Sequence, residues 1–149
     1  MPHDLYPAGT PRFNHVAMSM PADALDEEGR AAITGFWGDV FGFEEHQMLT
    51  EDRHKLVLGA CHYEQFVFLI AEDEPMRAPR LDHFGLSVSS LEDLQAAHAR
   101  AEAWKAKDDT VDLIPPAVED HGMVKIHNFY AGYRLPMMCE IQYWELAER

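Results

Sequence analysis

Two histidines occupy the same place in a motif that this chain contains twice. Residues 12–20 read RFNHVAMSM and residues 80–88 read RLDHFGLSV, so His15 aligns with His83. Small residues alternate with each histidine, and bulky apolar residues fill the positions between them. An imidazole beside small residues borders open space, and neutral imidazole is a common metal ligand. The repeat therefore predicts two equivalent strands that bring two metal-binding histidines to one cavity.

Glu140 is the third candidate ligand. It lies within PMMCEIQYW, residues 136–144, a segment otherwise typical of a protein core. A carboxylate buried there without a partner would be strongly destabilising. One interpretation is an ion pair with a buried arginine, for instance Arg134. The other is a metal site in which two histidines and one carboxylate leave coordination positions open for substrate or oxygen.

The elements that position these residues form a repeated pattern of one strand, one helix and three strands. Apolar spacing predicts a helix over Asp26–Phe41, and Ser90 is the predicted N-cap of a second helix over Leu91–Lys105. The other predicted strands are His46–Leu49, Lys55–His62 and Gln65–Ala71 in the first half, and Val111–Val118, Met123–Tyr130 and Met137–Trp144 in the second. A turn is expected at residues 50–53. The sequence thus predicts one domain over residues 1–149, with modules at about 12–72 and 80–147 joined by a linker at 73–79.

Composition narrows the classes of partner. The chain of 149 residues contains 26 acidic residues against 12 lysines and arginines, a net charge of −14. Such a surface repels phosphate backbones and anionic lipid, so neither nucleic acid nor membrane is an expected partner. Cys61 and Cys139 form no metal-binding or disulfide motif. The sequence shows no signal peptide or membrane-spanning run, and a cytoplasmic location is expected.

These motifs resemble the vicinal oxygen chelate superfamily, which includes glyoxalase I, methylmalonyl-CoA epimerase, extradiol dioxygenases and bleomycin resistance proteins. The resemblance rests on the two histidine strands, on FWGDVFGFEE at residues 36–45 and on FYAGYRLPMMCEIQYWE at residues 129–145. It implies an α+β fold: tandem βαβββ modules forming a curled eight-stranded mixed sheet around a metal cavity, with helices on the outer face. It further implies a homodimer and a divalent metal held by His15, His83 and Glu140.

The number of metal ligands separates the activities found in this superfamily. Glyoxalase I and the epimerase usually place a fourth ligand on the strand that ends the first module, where this chain has Phe68 or an apolar neighbour. Glu72 is as far from His15 as Glu140 is from His83, but it follows the apolar run. Three ligands favour an extradiol-type ring-cleaving dioxygenase using Fe(II) or Mn(II), with Zn(II), Ni(II) or Co(II) as alternatives. The alternative functions are a glyoxalase- or epimerase-like isomerase and a metal-free small-molecule binding protein.

The resemblance to extradiol dioxygenases also implies catalytic roles outside the metal site. His121 and Tyr130 would donate hydrogen bonds to substrate or oxygen, with His127 as a substitute for His121. The chain departs from the dioxygenase signature at Tyr133 and Arg134, where a small polar residue followed by proline is usual. The expected substrate is a small molecule, with an aromatic diol as the favoured class. The predicted cavity wall consists of Ala17, Ser19, Phe66, Phe68, Gly85 and Ser87.

Overall fold

The computed structural model describes residues 9–50 and 53–147, which form two helices and eight strands. The elements of the first module are β1 (His15–Met20), α1 (Glu27–Phe41), β2 (Glu44–Glu45), β3 (Lys55–Gly59) and β4 (Phe66–Ala71). Those of the second are β5 (His83–Ser87), α2 (Leu91–Lys105), β6 (Asp112–Asp120), β7 (Val124–Gly132) and β8 (Met138–Leu146). The predicted α+β fold with tandem βαβββ modules is confirmed.

Both modules have the same sheet topology. The strand order is β1-β4-β3-β2 in the first and β5-β8-β7-β6 in the second. The histidine strand pairs in parallel with the last strand of its module, and the remaining pairs are antiparallel. Within the described residues, the eight strands predicted as one sheet are divided into two four-stranded mixed sheets. Each sheet therefore carries one of the two duplicated histidines.

Local signals define both helices as the sequence predicted. The carboxylate of Asp26 accepts a hydrogen bond from the Gly29 amide at 2.7 Å, which caps α1. Gly42 ends this helix with φ of 73°, a left-handed conformation that glycine adopts without a steric penalty. The Ser90 hydroxyl accepts from the Asp93 amide at 3.1 Å and caps α2. No helix in the part of the chain that the structure describes has the length and apolar character needed to cross a membrane.

A single apolar core joins the two modules through their helix-facing sides. Trp37 of α1 is fully buried, and its indole nitrogen donates to the Tyr133 carbonyl of the second module at 3.2 Å. Its ring centroid lies 6.1 Å from that of Phe84 on β5. Because the bulky face of each sheet enters this shared core, the face that carries the histidine is left outside it. The helices therefore lie on the side of each sheet away from the histidines.

Two predicted elements differ in the structure. The strand predicted at His46–Leu49 is wrong: the strand is Glu44–Glu45, and the next residues turn as the Leu49 amide donates to the His46 carbonyl at 2.9 Å. In β6, the register shifts between Ile114 and Ala117. The two residues between them are prolines, which have no N–H to donate to a neighbouring strand. The turn predicted at 50–53 includes residues 51 and 52, which lie outside the described residues.

Candidate metal centre

Strand register brings His83, Tyr130 and Glu140 to one face of the second sheet. Gly85 on β5 pairs with Glu140 on β8, which in turn pairs with Tyr130 on β7. Directly paired residues share a face, and residues two apart along a strand point the same way. His83, two residues before Gly85, therefore projects toward the same side as Glu140. This face lies opposite the one that enters the core.

The His83 and Glu140 side chains lie in contact, and in the neutral form of His83 two hydrogen-bond acceptors face each other. His83 Nε2 lies 3.2 Å from Glu140 Oε2, and the Glu140 side chain is only 7% exposed. His83 Nδ1 is 2.7 Å from the Leu81 carbonyl oxygen, which can only accept a hydrogen bond, so Nδ1 carries the proton. In the neutral imidazole, the Nε2 lone pair then faces a carboxylate oxygen. Only a proton or a cation between these atoms makes the contact favourable, and a divalent metal fits this pair of donors.

Tyr130 supports the carboxylate of this pair. Its ring packs edge-on against the His83 ring at 5.1 Å between centroids. Burial, followed by the hydrogen bond to Glu140 and the charge of that carboxylate, raises the pKa of Tyr130 above its ordinary value. The phenol is therefore protonated at neutral pH and is available to donate to Glu140. Such a hydrogen bond would orient the carboxylate toward a bound metal.

His15 presents the same atom in the first module. Its Nδ1 lies 2.7 Å from Asn14 Oδ1, and its ring stacks on Phe66 at 4.8 Å between centroids. The amide oxygen accepts the Nδ1 proton, which leaves Nε2 with a lone pair. Both duplicated histidines are thus held through Nδ1 by an oxygen atom close in the chain. Both present Nε2, the atom that a metal would bind.

The structure shows which residue stands at the predicted fourth position. Ala17 follows His15 by two residues, as Gly85 follows His83, and Ala17 pairs with Phe68. Phe68 therefore occupies the place in the first module that Glu140 occupies in the second. Glu72 lies beyond the end of β4, where its amide donates to the Met20 carbonyl at 2.9 Å. In this register the first module contributes one candidate ligand.

The three predicted ligands do not meet within one chain. Residues 9–50 and 53–147 contain no group of three or more His, Cys, Asp or Glu side chains that could hold a metal. His15 and Ala17 are exposed on the first sheet, and His83, Gly85 and Ser87 are exposed on the second. Ser19 and the rings of Phe66 and Phe68 are partly buried on the face of His15. Each sheet thus presents half of the predicted cavity wall.

Within the described residues, Glu140 and Arg134 do not form the ion pair that the sequence offered as an alternative. Arg134 lies over the ring of Tyr133, with 5.5 Å between the guanidinium carbon and the ring centroid. Within the described residues, Glu140 has no ion-pair partner among the lysines and arginines. Arg134 also has φ of 57°, an uncommon backbone conformation for a residue with a side chain.

The structure does not bring the two other predicted catalytic histidines to His83 and Glu140. His121 lies in the turn between β6 and β7, is 56% exposed and has its Nε2 3.5 Å from Glu119. His127 is three residues from Tyr130 on β7, so it faces the opposite side of the sheet, where its Nε2 lies 2.6 Å from Glu145. The expectation that His127 substitutes for His121 is corrected by this alternation.

Sequence reasoning did not identify the neighbours that complete this face. Gln142 and Trp144 follow Glu140 at intervals of two on β8, and Asn128 pairs with Gln142 from β7. The sequence feature that could have identified Gln142 is its position two residues after Glu140, as a polar residue within an otherwise apolar strand. The Leu81 carbonyl, which fixes the His83 tautomer, is a backbone group and has no signature in the sequence.

Comparisons with known proteins support the fold. No protein-family model matches the chain, and no curated protein matches it. A lactoylglutathione lyase from Agrobacterium tumefaciens has 16% identity and a TM-score of 0.62, covering 91% of this chain and 95% of that one. The fosfomycin resistance protein FosX from Mesorhizobium loti has 14% identity and a TM-score of 0.60, covering 90% and 92%. A glyoxalase/bleomycin resistance protein/dioxygenase from Nocardioides has 12% identity and a TM-score of 0.58, covering 99% and 94%.

These structures share the chain's architecture over nearly its whole length. The chain therefore has the fold of the vicinal oxygen chelate superfamily, as the two histidine strands predicted. Its structural neighbours include a lyase and fosfomycin resistance proteins.

Proposed function

We propose that this protein is an enzyme that uses one divalent metal to act on a small molecule with two adjacent oxygen atoms. The observation that carries the proposal is the contact between His83 Nε2 and Glu140 Oε2 at 3.2 Å. The proton on His83 Nδ1 is committed to the Leu81 carbonyl, so in the neutral imidazole the two facing atoms are both lone-pair donors. A bound metal, in place of a shared proton, would be coordinated by both atoms.

The third ligand in this proposal is His15 of a second copy of the chain. Its Nε2 is presented from the other sheet, and within the described residues of one chain no three-residue metal group forms. Two copies related by a twofold axis would bring each His15 against the partner's His83 and Glu140. The homodimer would contain two equivalent sites, each lined by the small residues of both sheets. Pairing the open faces would also cover the rings of Phe66 and Phe68.

The bound metal would supply a Lewis acid for two substrate oxygens, and Fe(II) would in addition supply reactivity toward dioxygen. The chain's own residues provide orientation. Leu81 and Asn14 fix the histidine tautomers, and Tyr130 donates to Glu140. Ala17 and Gly85 leave room beside the ligands, so that a flat substrate can approach them.

Among the reactions of this fold, we favour extradiol-type ring cleavage with Fe(II) or Mn(II). Phe68 at the position equivalent to Glu140 supports it, because a three-ligand centre keeps more coordination positions open than a four-ligand one. The second candidate is a glyoxalase- or epimerase-like reaction with Zn(II), Ni(II) or Co(II). The similarity to a lactoylglutathione lyase favours that candidate.

The test begins with the metal content of untagged protein purified without chelators. Protein reconstituted anaerobically with Fe(II) is then exposed to air with a panel of catechols, and oxygen uptake is recorded. Oxygen consumption with a yellow ring-opened product is the expected result. If no catechol consumes oxygen and a thiol adduct or acyl-CoA is isomerised instead, the second candidate replaces the first. Protein that takes up no divalent metal would leave only a binding function.

A further inference from the structure

The face that carries Glu140 continues outward along β8 through Gln142 to Trp144. These residues alternate with Ile141 and Tyr143, which face the core side. Strand geometry places Gln142 about 7 Å and Trp144 about 13 Å from Glu140 along the strand. Trp144 is 52% exposed, an unusual degree for so large an apolar ring. A ligand anchored at Glu140 would therefore extend over an amide and then over an indole.

The orientation of the Gln142 side chain is set by its neighbour. The Trp144 indole nitrogen is 2.8 Å from Gln142 Oε1, and an indole N–H can only donate. The oxygen of this amide is thus committed to Trp144. Its NH₂ group makes no hydrogen bond with any residue that the structure describes. Gln142 consequently offers two donors, and the hydrogen bond also holds the Trp144 ring in one orientation.

The charges on this part of the face have one sign. Asn128, which pairs with Gln142, donates from Nδ2 to Glu119 Oε1 at 3.2 Å. Between Glu140 and the Trp144 end of this face, the described strand residues include the Glu119 carboxylate and no lysine or arginine. An anionic group carried past the metal centre would meet the Glu119 carboxylate, which has His121 from the adjoining turn at 3.5 Å and no lysine or arginine on the strands of this face. The face therefore favours a neutral group that accepts a hydrogen bond.

We propose that Gln142 and Trp144 form the specificity surface of the site and select a neutral, elongated substrate. Such a substrate has chelating oxygens at one end, a hydrogen-bond acceptor opposite the Gln142 amide, and a flat apolar group on Trp144. Anionic conjugates, such as acyl-CoA esters, are disfavoured. This inference rests on the proposed metal-dependent function and adds the chemistry of the substrate beyond its chelating end.

Three probes separate the parts of this surface. Catechol has only the chelating oxygens, whereas N-phenyl-3,4-dihydroxybenzamide adds a neutral amide carbonyl and a phenyl ring. Its 4-carboxyphenyl analogue adds one negative charge to the same skeleton. Dissociation constants are measured by calorimetry on the Zn(II)-loaded dimer, so that no turnover is needed. We expect the neutral amide to bind at least about tenfold more tightly than catechol, and the anionic analogue to lose most of that gain.

Matched variants assign the preference to the two residues. Gln142→Glu keeps an oxygen for the Trp144 indole and removes both donors, and Trp144→Ala removes the ring. Each should reduce the preference for the neutral amide over catechol, measured as the ratio of their dissociation constants on the same variant, by about five- to tenfold. Leu146→Ala, at an exposed residue further out on the same strand, is the control and should retain the full preference.

Several results would overturn the inference. Equal binding of all three probes by the metal-loaded wild type would refute it and leave the metal site intact. The same holds for an unchanged preference in both variants. A Trp144→Ala protein that becomes monomeric in light scattering would show that Trp144 serves the subunit interface instead. Failure to take up Zn(II), together with no catechol binding, would remove the proposed function and this inference together.

Discussion

Exchange of subunits between two variants that should each lose metal gives a direct test of the proposed shared metal centre. In the His15→Ala dimer each site loses its histidine from the first sheet, and in the His83→Ala dimer each site loses the histidine that lies 3.2 Å from Glu140. Neither homodimer should hold metal in stoichiometric amounts. A mixed dimer, however, has one site that combines the intact His15 of one chain with the intact His83 of the other. Its second site lacks both histidines.

The expected recovery follows from this arrangement. When equal amounts of the two variants are unfolded together and refolded, random pairing makes about half of the dimers mixed. Each mixed dimer binds one metal where the wild type binds two, so the mixture should hold about one quarter of the wild-type metal. Metal is counted by mass spectrometry after gel filtration, and the variants refolded separately are the baseline.

His121→Ala is the matched control, because its side chain is exposed and lies away from His83 and Glu140. That variant should keep the full metal content in every mixture. A mixture of His15→Ala and His83→Ala that stays at the baseline, although mixed dimers are shown to form, would refute the shared site. Full metal content in either variant alone would refute the ligand assignment itself.

Three further predictions concern single residues. Tyr130→Phe removes the hydroxyl beside Glu140, the proposed metal ligand, and should weaken Zn(II) binding about tenfold in competition with a chelator. Gly132→Ala would place a Cβ 2.3 Å from Sδ of the flexible Met138 side chain, which must shift, so it should lower the free energy of unfolding by only about 1 kcal/mol in urea titrations. Burial raises the pKa of Cys139 well above its ordinary value, so Ellman's reagent should label exposed Cys61 in the native protein and both cysteines only after unfolding.

Contradictory results for these three would be equally specific. Unchanged Zn(II) affinity in the phenylalanine variant would mean that the tyrosine hydroxyl does not orient a ligand. An unaltered urea midpoint for the alanine variant would show that the methionine side chain can move aside at no cost. Rapid labelling of two thiols in the native state would place the second cysteine outside the core.

The sequence by itself determined the secondary structure and the duplication. Helix caps such as Asp26 and Ser90 bond to amides within one turn of their helices. Strands show as alternation between neighbouring residues. Both features are local, so helices and strands could be predicted without knowing the fold. The repeated histidine motif predicted the two equivalent modules. The apolar strand containing Phe68 correctly predicted that the position equivalent to Glu140 has no carboxylate. The strand prediction for His46–Leu49 failed because this segment has only four residues, two polar and two apolar, and so short a pattern fits a strand or a turn equally well.

Tertiary structure decided which of these residues share a face and which meet. The register between β7 and β8 places Tyr130 beside Glu140 and turns His127 to the other side, and register depends on contacts distant in sequence. The modules join through Trp37 and the helix-facing sides of both sheets, which separates His15 from His83 and Glu140 within one chain. Sequence periodicity shows which face of each sheet is apolar, but the same apolar faces could join within a chain or between two copies. The packing of large side chains such as Trp37 resolves that choice, because it depends on shape complementarity between the modules.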